Sequence, residues 1–316
     1  MWHERRLKLL KQEIEVLLAP LFNEVGFLEL IKQPLAEAKR GLASESVQDP
    51  PWALLPLLVC QSISGNYGHV ITATAALQLF ATAGDIFDDI EDSDNPQSLP
   101  ARYGSAIALN VATTILILAE RAIARLIKKG VDSKTAVCIL DIINSYYTTA
   151  CIGQHLDLSL LSNQEITEEK YLDIISMKSA SQIECACNIG AILAKANQRV
   201  INLFTKFGHN LGMAAQIAND ILGISTEKDI KKNKITLPVI YALTQLEGKA
   251  HTRLRNMLFN PEYLLDPERI KDFLFRTGAM HYASIKLEYY KQTAFDLLSE
   301  AEKSGIHTKR LRSFLE

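Results

Sequence analysis

Apolar residues recur every three or four positions along most of the chain, and strand-like alternation bounded by turn signals is hard to find. The spacing predicts helices over 4–19, 21–43, 56–64, 70–90, 106–129, 133–162, 167–195, 198–223, 235–245, 253–260, 267–277 and 279–304. Asp49-Pro50-Pro51, Gly65-Asn66, Asn95-Pro96, Gly130, Asn163 and Asn260-Pro261 mark breaks between them. Ser133 and Thr167 read as N-caps, and Lys170 rather than Glu in the third position after Thr167 precludes a capping box. No repeat, low-complexity tract or linker interrupts the pattern. It predicts one all-α domain over 1–316, a bundle whose core helices are longer than the globular average. Long apolar helices around a central cavity are a natural container for a long apolar ligand.

Composition narrows this. With 316 residues, 48% of them hydrophobic, the chain can bury a large core. Its 34 basic and 36 acidic residues leave a net charge of −2, so no general field draws it to nucleic acid or anionic lipid. The first residues run into charged helical spacing without a signal-peptide apolar region, which predicts a cytoplasmic protein. Five cysteines, odd in number and in apolar surroundings, lack zinc-finger spacing and are expected as buried reduced thiols. Residues 50–84 and 103–119 are uncharged apart from His69 and long enough to cross a membrane. They are rich in Ala, Thr, Gly, Asn, Gln and Ser rather than Leu, Ile and Phe, which predicts buried core helices and no transmembrane segment.

That uncharged tract ends in six acids within ten residues: Asp85, Asp88, Asp89, Glu91, Asp92 and Asp94. On a helix, Asp85, Asp88, Asp89 and Asp92 are three, four or seven apart and share one face. They fall at its C-terminal end, where the macrodipole is negative and carboxylates repel it. Two readings follow: a solvated acidic helix end, or an open oxygen-ligand site for Mg²⁺. A second apolar helix closes on Gln216, Asn219, Asp220, Gly223 and Glu227. Asn219, Gly223 and Glu227 are spaced by four and stay on one side, where an amide oxygen and a carboxylate could hold a metal and glycine leaves room for water. Two acid-ended apolar helices favour the metal reading over the solvated one. Lys228, Lys231, Lys232 and Lys234 follow as a solvated loop or a phosphate grip, and Lys178 interrupts an apolar helix as a phosphate ligand or a snorkelling lysine. His155 reads as a hydrogen-bonded rim histidine rather than a ligand.

In this order the residues resemble the polyprenyl synthase family, the trans-prenyl-diphosphate synthases of the class I isoprenoid fold. Asp88-Asp89-Ile-Glu-Asp92 matches the family's first DDxxD motif, and Gly153-Gln154 with Asp157 its GQxxD segment. Lys178-Ser179 stands where the family has Lys-Thr. Phe207-Gly208 through Gln216-Ile217 and Asn219-Asp220 resembles the FQxxDD stretch, and Lys234-Ile-Thr236-Leu237-Pro238 the Lys-x-Thr-Leu-Pro that follows it. The resemblance implies Mg²⁺, three ions with the diphosphate, held by Asp88, Asp92 and Asn219, with Asp89, Asp220 and Glu227 as further candidates. It implies that Lys178, Lys228 and Lys234 grip the diphosphate of an allylic prenyl substrate, with Gln216 nearby. Gln154 would line the cavity near the forming carbocation. Ala83 and Gly84 would leave depth beneath the metals above a floor at Phe80, with Phe87 beside it, for about fifteen to twenty carbons or longer. Gly84 has a plainer reading as a place where two helices pack closely. Family members are usually homodimers.

Departures from the family shape the expected reaction. Elongating members carry Gly-Gly-Lys-Arg-x-Arg-Pro ahead of the first motif to bind isopentenyl diphosphate; here Asp49-Pro-Pro-Trp52-Ala-Leu54-Leu55-Pro56 stands there. Their Arg-Arg pair after DDxxD is replaced by Asn95-Pro-Gln-Ser-Leu-Pro100, with Arg102 the nearest base. A second diphosphate has no evident cradle. The chain is similar to the ComQ-type isoprenyl transferases at Asp85–Asp92, Gly153-Gln154-His155 and 229–237. It is also similar to class I terpene cyclases, whose second motif, Asn-Asp-x-x-Ser-x-x-x-Glu, fits Asn219, Asp220 and Glu227 with Gly223 in place of serine. The expected activity is prenyl transfer to an acceptor, a peptide or small molecule, other than isopentenyl diphosphate. Terpene cyclisation, ordinary chain elongation and a non-catalytic partner subunit are the alternatives.

Overall fold

The computed structural model describes residues 2–21, 24–36, 52–92, 95–159, 166–259 and 266–316. Among them the regular elements are all helical, as the period of three to four predicts. An outer pair, α1 (Trp2–Leu18) and α2 (Val25–Ala36), precedes α3 (Leu55–Ser64), whose Pro56 sits in the first turn and whose C-cap Gly65 adopts a left-handed φ of 72°. Then come α4 (Val70–Asp92), the short α5 (Leu99–Tyr103), α6 (Ser105–Arg125) and α7 (Ser133–Leu158). Next, α8 (Glu168–Ile175) runs through a π turn at Ser176–Ala180 into α9 (Ser181–Leu193). The long α10 (Gln198–Ser225) leads to α11 (Lys228–Lys231), α12 (Leu237–Gln245), α13 (Gly248–Phe259), α14 (Pro267–Arg276), α15 (Ala279–Lys303) and α16 (Lys309–Arg312).

Most sequence-predicted boundaries fall within a few residues of these. Residues 37–51, which include part of the segment expected to continue α2, lie outside the described residues, as do 160–165 beyond α7 and Asp94. The short α5, α11 and α16 carry too few turns to show a period. The N-cap of α7 is Asp132, not Ser133: its carboxylate accepts from the Thr135 amide at 2.9 Å. Thr167 does cap α8, accepting from the Lys170 amide at 3.2 Å.

The uncharged tract forms the centre. α4 is buried from Val70 to Ala83 and packs along α6, with α1, α3 and α9 around it. Its polar side chains are satisfied within the helix or by α1. Thr74 and Thr82 donate to the carbonyls of Val70 and Gln78, both at 2.9 Å, and Thr72 donates to Glu13 of α1 at 2.9 Å. Such internal pairing lets a Thr-, Ala- and Gln-rich helix occupy a core. A second apolar cluster joins Ile224 to α12–α14, and a third packs Tyr171 and Ile175 against Met213, Ile217 and Leu237. α10 touches all three clusters and so ties the two acidic helices into one frame.

Three helices, α4, α6 and α7, are long and apolar enough to cross a membrane. The protein itself encloses 83% of the apolar window of α4, so this is a core helix. It encloses only 44% of that of α6, which is not the buried core helix its composition predicts, and 28% of that of α7. The cysteines divide similarly. Cys60, Cys185 and Cys187 are buried, whereas Cys138 and Cys151 on α7 are exposed, contrary to expectation.

Candidate active site

α4 remains helical to Asp92, so Asp85, Asp88, Asp89 and Asp92 stand on successive turns as their spacing predicts. Gln154, from the last turns of α7, donates to Asp88 Oδ1 at 3.0 Å and to Glu91 Oε2 at 2.8 Å. Two carboxylate acceptors fix the orientation of its amide and leave Oε1 buried without a hydrogen-bond partner. Lys178 Nζ lies 2.6 Å from Asp157 Oδ2 and 3.5 Å from Asp88 Oδ1. Burial pushes the Lys178 ammonium down, but Asp157 and Asp88 outweigh it and leave its pKa above the ordinary lysine value.

The placement of Lys178 has a backbone cause. It lies within the π turn, a bulge of the kind that re-aims a side chain. α7 approaches this turn through Gly153, where a Cβ would stand 2.8 Å from both the Lys178 Cα and the Met177 carbonyl carbon, and nearer still to the Lys178 amide nitrogen. The Gly-Gln pair is thus two devices in sequence: glycine permits the approach, and glutamine engages the acids.

The loop that follows the second acidic helix meets the first through Lys234, whose Nζ lies 2.9 Å from Asp92 Oδ2. Asp220 anchors this lysine's loop. It is 2% exposed, and its carboxylate accepts from the Leu237 amide at 3.2 Å, the Tyr171 hydroxyl at 2.5 Å and Gln216 Nε2 at 3.1 Å. Gln216 Oε1 in turn accepts from Ser179 at 2.8 Å. Asp220 and Gln216, which the family resemblance implies as a metal ligand and a substrate contact, take part here in an internal network from the π turn to the Lys234 loop. Glu227 is paired as well. It adopts a left-handed φ of 61° and pairs with Lys271 at 2.8 Å and Lys231 at 3.2 Å. Those lysines, Lys271 first, hold its pKa below the ordinary value. Of the cyclase-like set, Gly223 is buried on α10 and Glu227 lies just beyond its end. Asn219 is exposed on α10, and Lys228 is exposed at the start of α11.

Beneath the acids, Phe80 is 2% exposed and its ring packs on Tyr147 of α7 at 4.8 Å between centroids. Ala83 is buried and Phe87 packs against the core. A Cβ on Gly84 would meet nothing within 4 Å, so this glycine opens onto space rather than permitting close helix packing.

The polyprenyl synthetase family profile matches residues 53–271. The chain belongs to the polyprenyl synthetase family. Among similar proteins, the geranylgeranyl diphosphate synthase of Sulfolobus acidocaldarius is 28% identical over 280 residues, 83% of this chain and 84% of that protein. The tryptophan prenyltransferase ComQ of Bacillus subtilis is 28% identical over 232 residues, 72% of this chain and 73% of that protein. The crystal structure of geranylgeranyl pyrophosphate synthetase from Pyrococcus horikoshii Ot3 superposes with a TM-score of 0.84 at 22% identity, covering 100% of this chain and 97% of that one. At that identity the structural likeness speaks to the fold, which is the expected all-α isoprenoid-synthase type.

Polyprenyl synthetases generally depend on Mg²⁺. The donor set at this mouth fits such an ion: carboxylates and an amide, all oxygen. Among the described residues no three Asp, Glu, His or Cys side chains gather closely enough to cage a metal by themselves. That openness suits Mg²⁺, which keeps waters and is completed by substrate phosphates. Glu91, Tyr171 and Tyr147 take part here although sequence spacing did not single them out. Only Glu91, beside DDxxD, carried a local signal.

Proposed function

We propose that this polyprenyl synthetase ionises an allylic prenyl diphosphate and passes the prenyl cation to an acceptor other than isopentenyl diphosphate. The chain accepted would be about fifteen to twenty carbons or longer, set by the two helical turns between Asp88 and Phe80. The observation that carries the reading is one mouth where Lys178 pairs with Asp88 and Asp157, and Lys234 pairs with Asp92. Mg²⁺ held by Asp88, Asp92 and Asn219, with Asp89 adjoining, would neutralise the charge developing on the departing diphosphate. Lys178 and Lys234, released from their acids, would bind the phosphate oxygens, with Lys228 at the loop's edge. The unpartnered Gln154 oxygen offers a dipole to a cation formed beside it. Phe80, Ala83, Phe87 and the open space at Gly84 would take the chain and exclude water.

The acceptor assignment rests on charge. Ala53, Leu54 and Leu55 are buried and apolar where elongating relatives carry cations, and the Arg102 guanidinium lies over the ring of its neighbour Tyr103. The resemblance to ComQ makes a tryptophan-bearing peptide the first acceptor to try. The reading includes a homodimer and no membrane-spanning helix.

The test is incubation of pure protein with Mg²⁺ and geranyl, farnesyl or geranylgeranyl diphosphate. Each is run alone, with isopentenyl diphosphate, and with a tryptophan peptide. Prenylated peptide, lost in Asp88→Ala, is expected. Chain extension by isopentenyl diphosphate would overturn the acceptor assignment. Cyclic hydrocarbon formed without any acceptor would overturn the transferase reading in favour of a cyclase.

A further inference from the structure

The helix α13 departs from the charge balance of the chain. Its 12 residues include Lys249, Arg253 and Arg255 but no Asp or Glu. Lys249 and Arg253 fall in its first two turns, where the positive end of the macrodipole disfavours cations. Lys249, Thr252, Arg253 and Asn256 are three, four or seven apart and share one face. That face lines an open cleft of about 560 Å³, together with Met257 and with Arg269 from the first turn of α14.

The protein does not neutralise these cations. Among the described residues no carboxylate forms an ion pair with Lys249, Arg253 or Arg269. Asp266 caps α14, accepting from the Arg269 amide at 3.2 Å, and Glu227 is held by Lys271 and Lys231. The Arg253 guanidinium lies 6.0 Å from the centre of the Phe273 ring of α14, a contact that uses none of its N–H donors. We propose that this cleft binds a diphosphate group, free or esterified to a small organic molecule, without a metal. Two guanidinium forks match phosphate oxygens bidentately and stay charged at any working pH, and Lys249 adds a point charge. Three cations on two helices can engage two phosphate groups at once, and Asn256 adds a neutral donor. The volume falls in the range of small-molecule pockets, beyond what a bare sulfate fills. No residue of the acidic mouth lines the cleft, so the inference stands apart from the reaction proposed above.

The test is calorimetry on the full chain in EDTA, with inorganic pyrophosphate, adenosine diphosphate and sulfate as probes. Saturable binding of a diphosphate probe, tighter than that of sulfate, is expected. Arg253→Gln and Arg269→Gln should each weaken it about 10-fold or more, the worth of hydrogen bonds to a charged group. Lys178→Gln, at the mouth, should leave it unchanged. Pyrophosphate binding as tightly as adenosine diphosphate, or more tightly, assigns the cleft to the free anion, and tighter adenosine diphosphate assigns it to an ester. No binding in EDTA overturns the inference, as does sulfate binding as tightly as either diphosphate. So does an affinity unchanged in either arginine variant, or lost in Lys178→Gln. Both arginines are exposed, so their variants should keep the wild-type Tm; Lys249→Gln stands in for one that does not.

Discussion

Asp220 shows how a single carboxylate can belong to a motif and yet serve the scaffold. Burial, the largest cause, raises its pKa to about 6; the hydrogen bonds from Tyr171, Leu237 and Gln216 oppose that rise and the charge of Asp229 adds to it. An acid shifted upward binds its proton more tightly in the folded state. The stability it contributes is therefore complete below its unfolded value near 4 and is lost as pH rises through about 6. Thermal denaturation between pH 4 and pH 7 should show this loss in wild type and a flatter profile in Asp220→Asn; parallel profiles would refute it. Gly153→Ala tests the other close approach. A methyl group against the Lys178 backbone should destabilise by about 1–3 kcal/mol, read as a lower Tm. Prenyl turnover should fall further than stability, because Lys178 is displaced from Asp88. Spacing along one helix gathers Asp88 and Asp92, and the family resemblance implies that Gln154, Lys178 and Lys234 join them; in the structure these three contact the two acids. The sequence does not reveal that Asp220 is buried or that Glu227 pairs with Lys271 and Lys231. That depends on a left-handed residue at 227 and a tyrosine 49 positions away.

At the scale of elements, periodicity predicts the long helices well because each buries one broad stripe. It merges α8, the π turn and α9 into one run, since an extra residue in a single turn leaves the apolar spacing almost intact. On the proposed reading the element that would bear on specificity is α4: Phe80 packs on Tyr147 below the acids, and Gly84 faces open space one turn above. Gly84→Phe should fold normally and shift preference toward shorter diphosphates, geranyl over geranylgeranyl, in competition assays. Unchanged chain selectivity would count against Phe80 as the floor.

For the whole molecule, α6 and α7 expose Leu109, Ile117, Val137 and Ile152 on helices that are apolar in composition. A face of that kind on a folded core is a candidate interface. A second copy covering it would also shelter Cys138 and Cys151. Light scattering is expected to give a dimer from detergent-free preparations, and Leu109→Glu with Ile117→Glu should yield monomer. A monomeric wild type, or a requirement for detergent, would refute this. Composition could show that these helices are apolar, but not which of their faces lacks a neighbour.

The paired lysines set the thermodynamics of loading. Lys178 pairs with Asp88 and Asp157, and Lys234 with Asp92, so on the proposed reading an arriving diphosphate would find its cations engaged and an arriving metal its carboxylates. Each ligand would then free what the other needs. Their affinities are then linked, and linkage is reciprocal: the factor by which Mg²⁺ tightens pyrophosphate must equal the factor by which pyrophosphate tightens Mg²⁺. Titrating each in the presence of the other should return one shared factor well above unity. A cell low in free magnesium would leave this mouth shut on its own charges, with neither ligand holding it open.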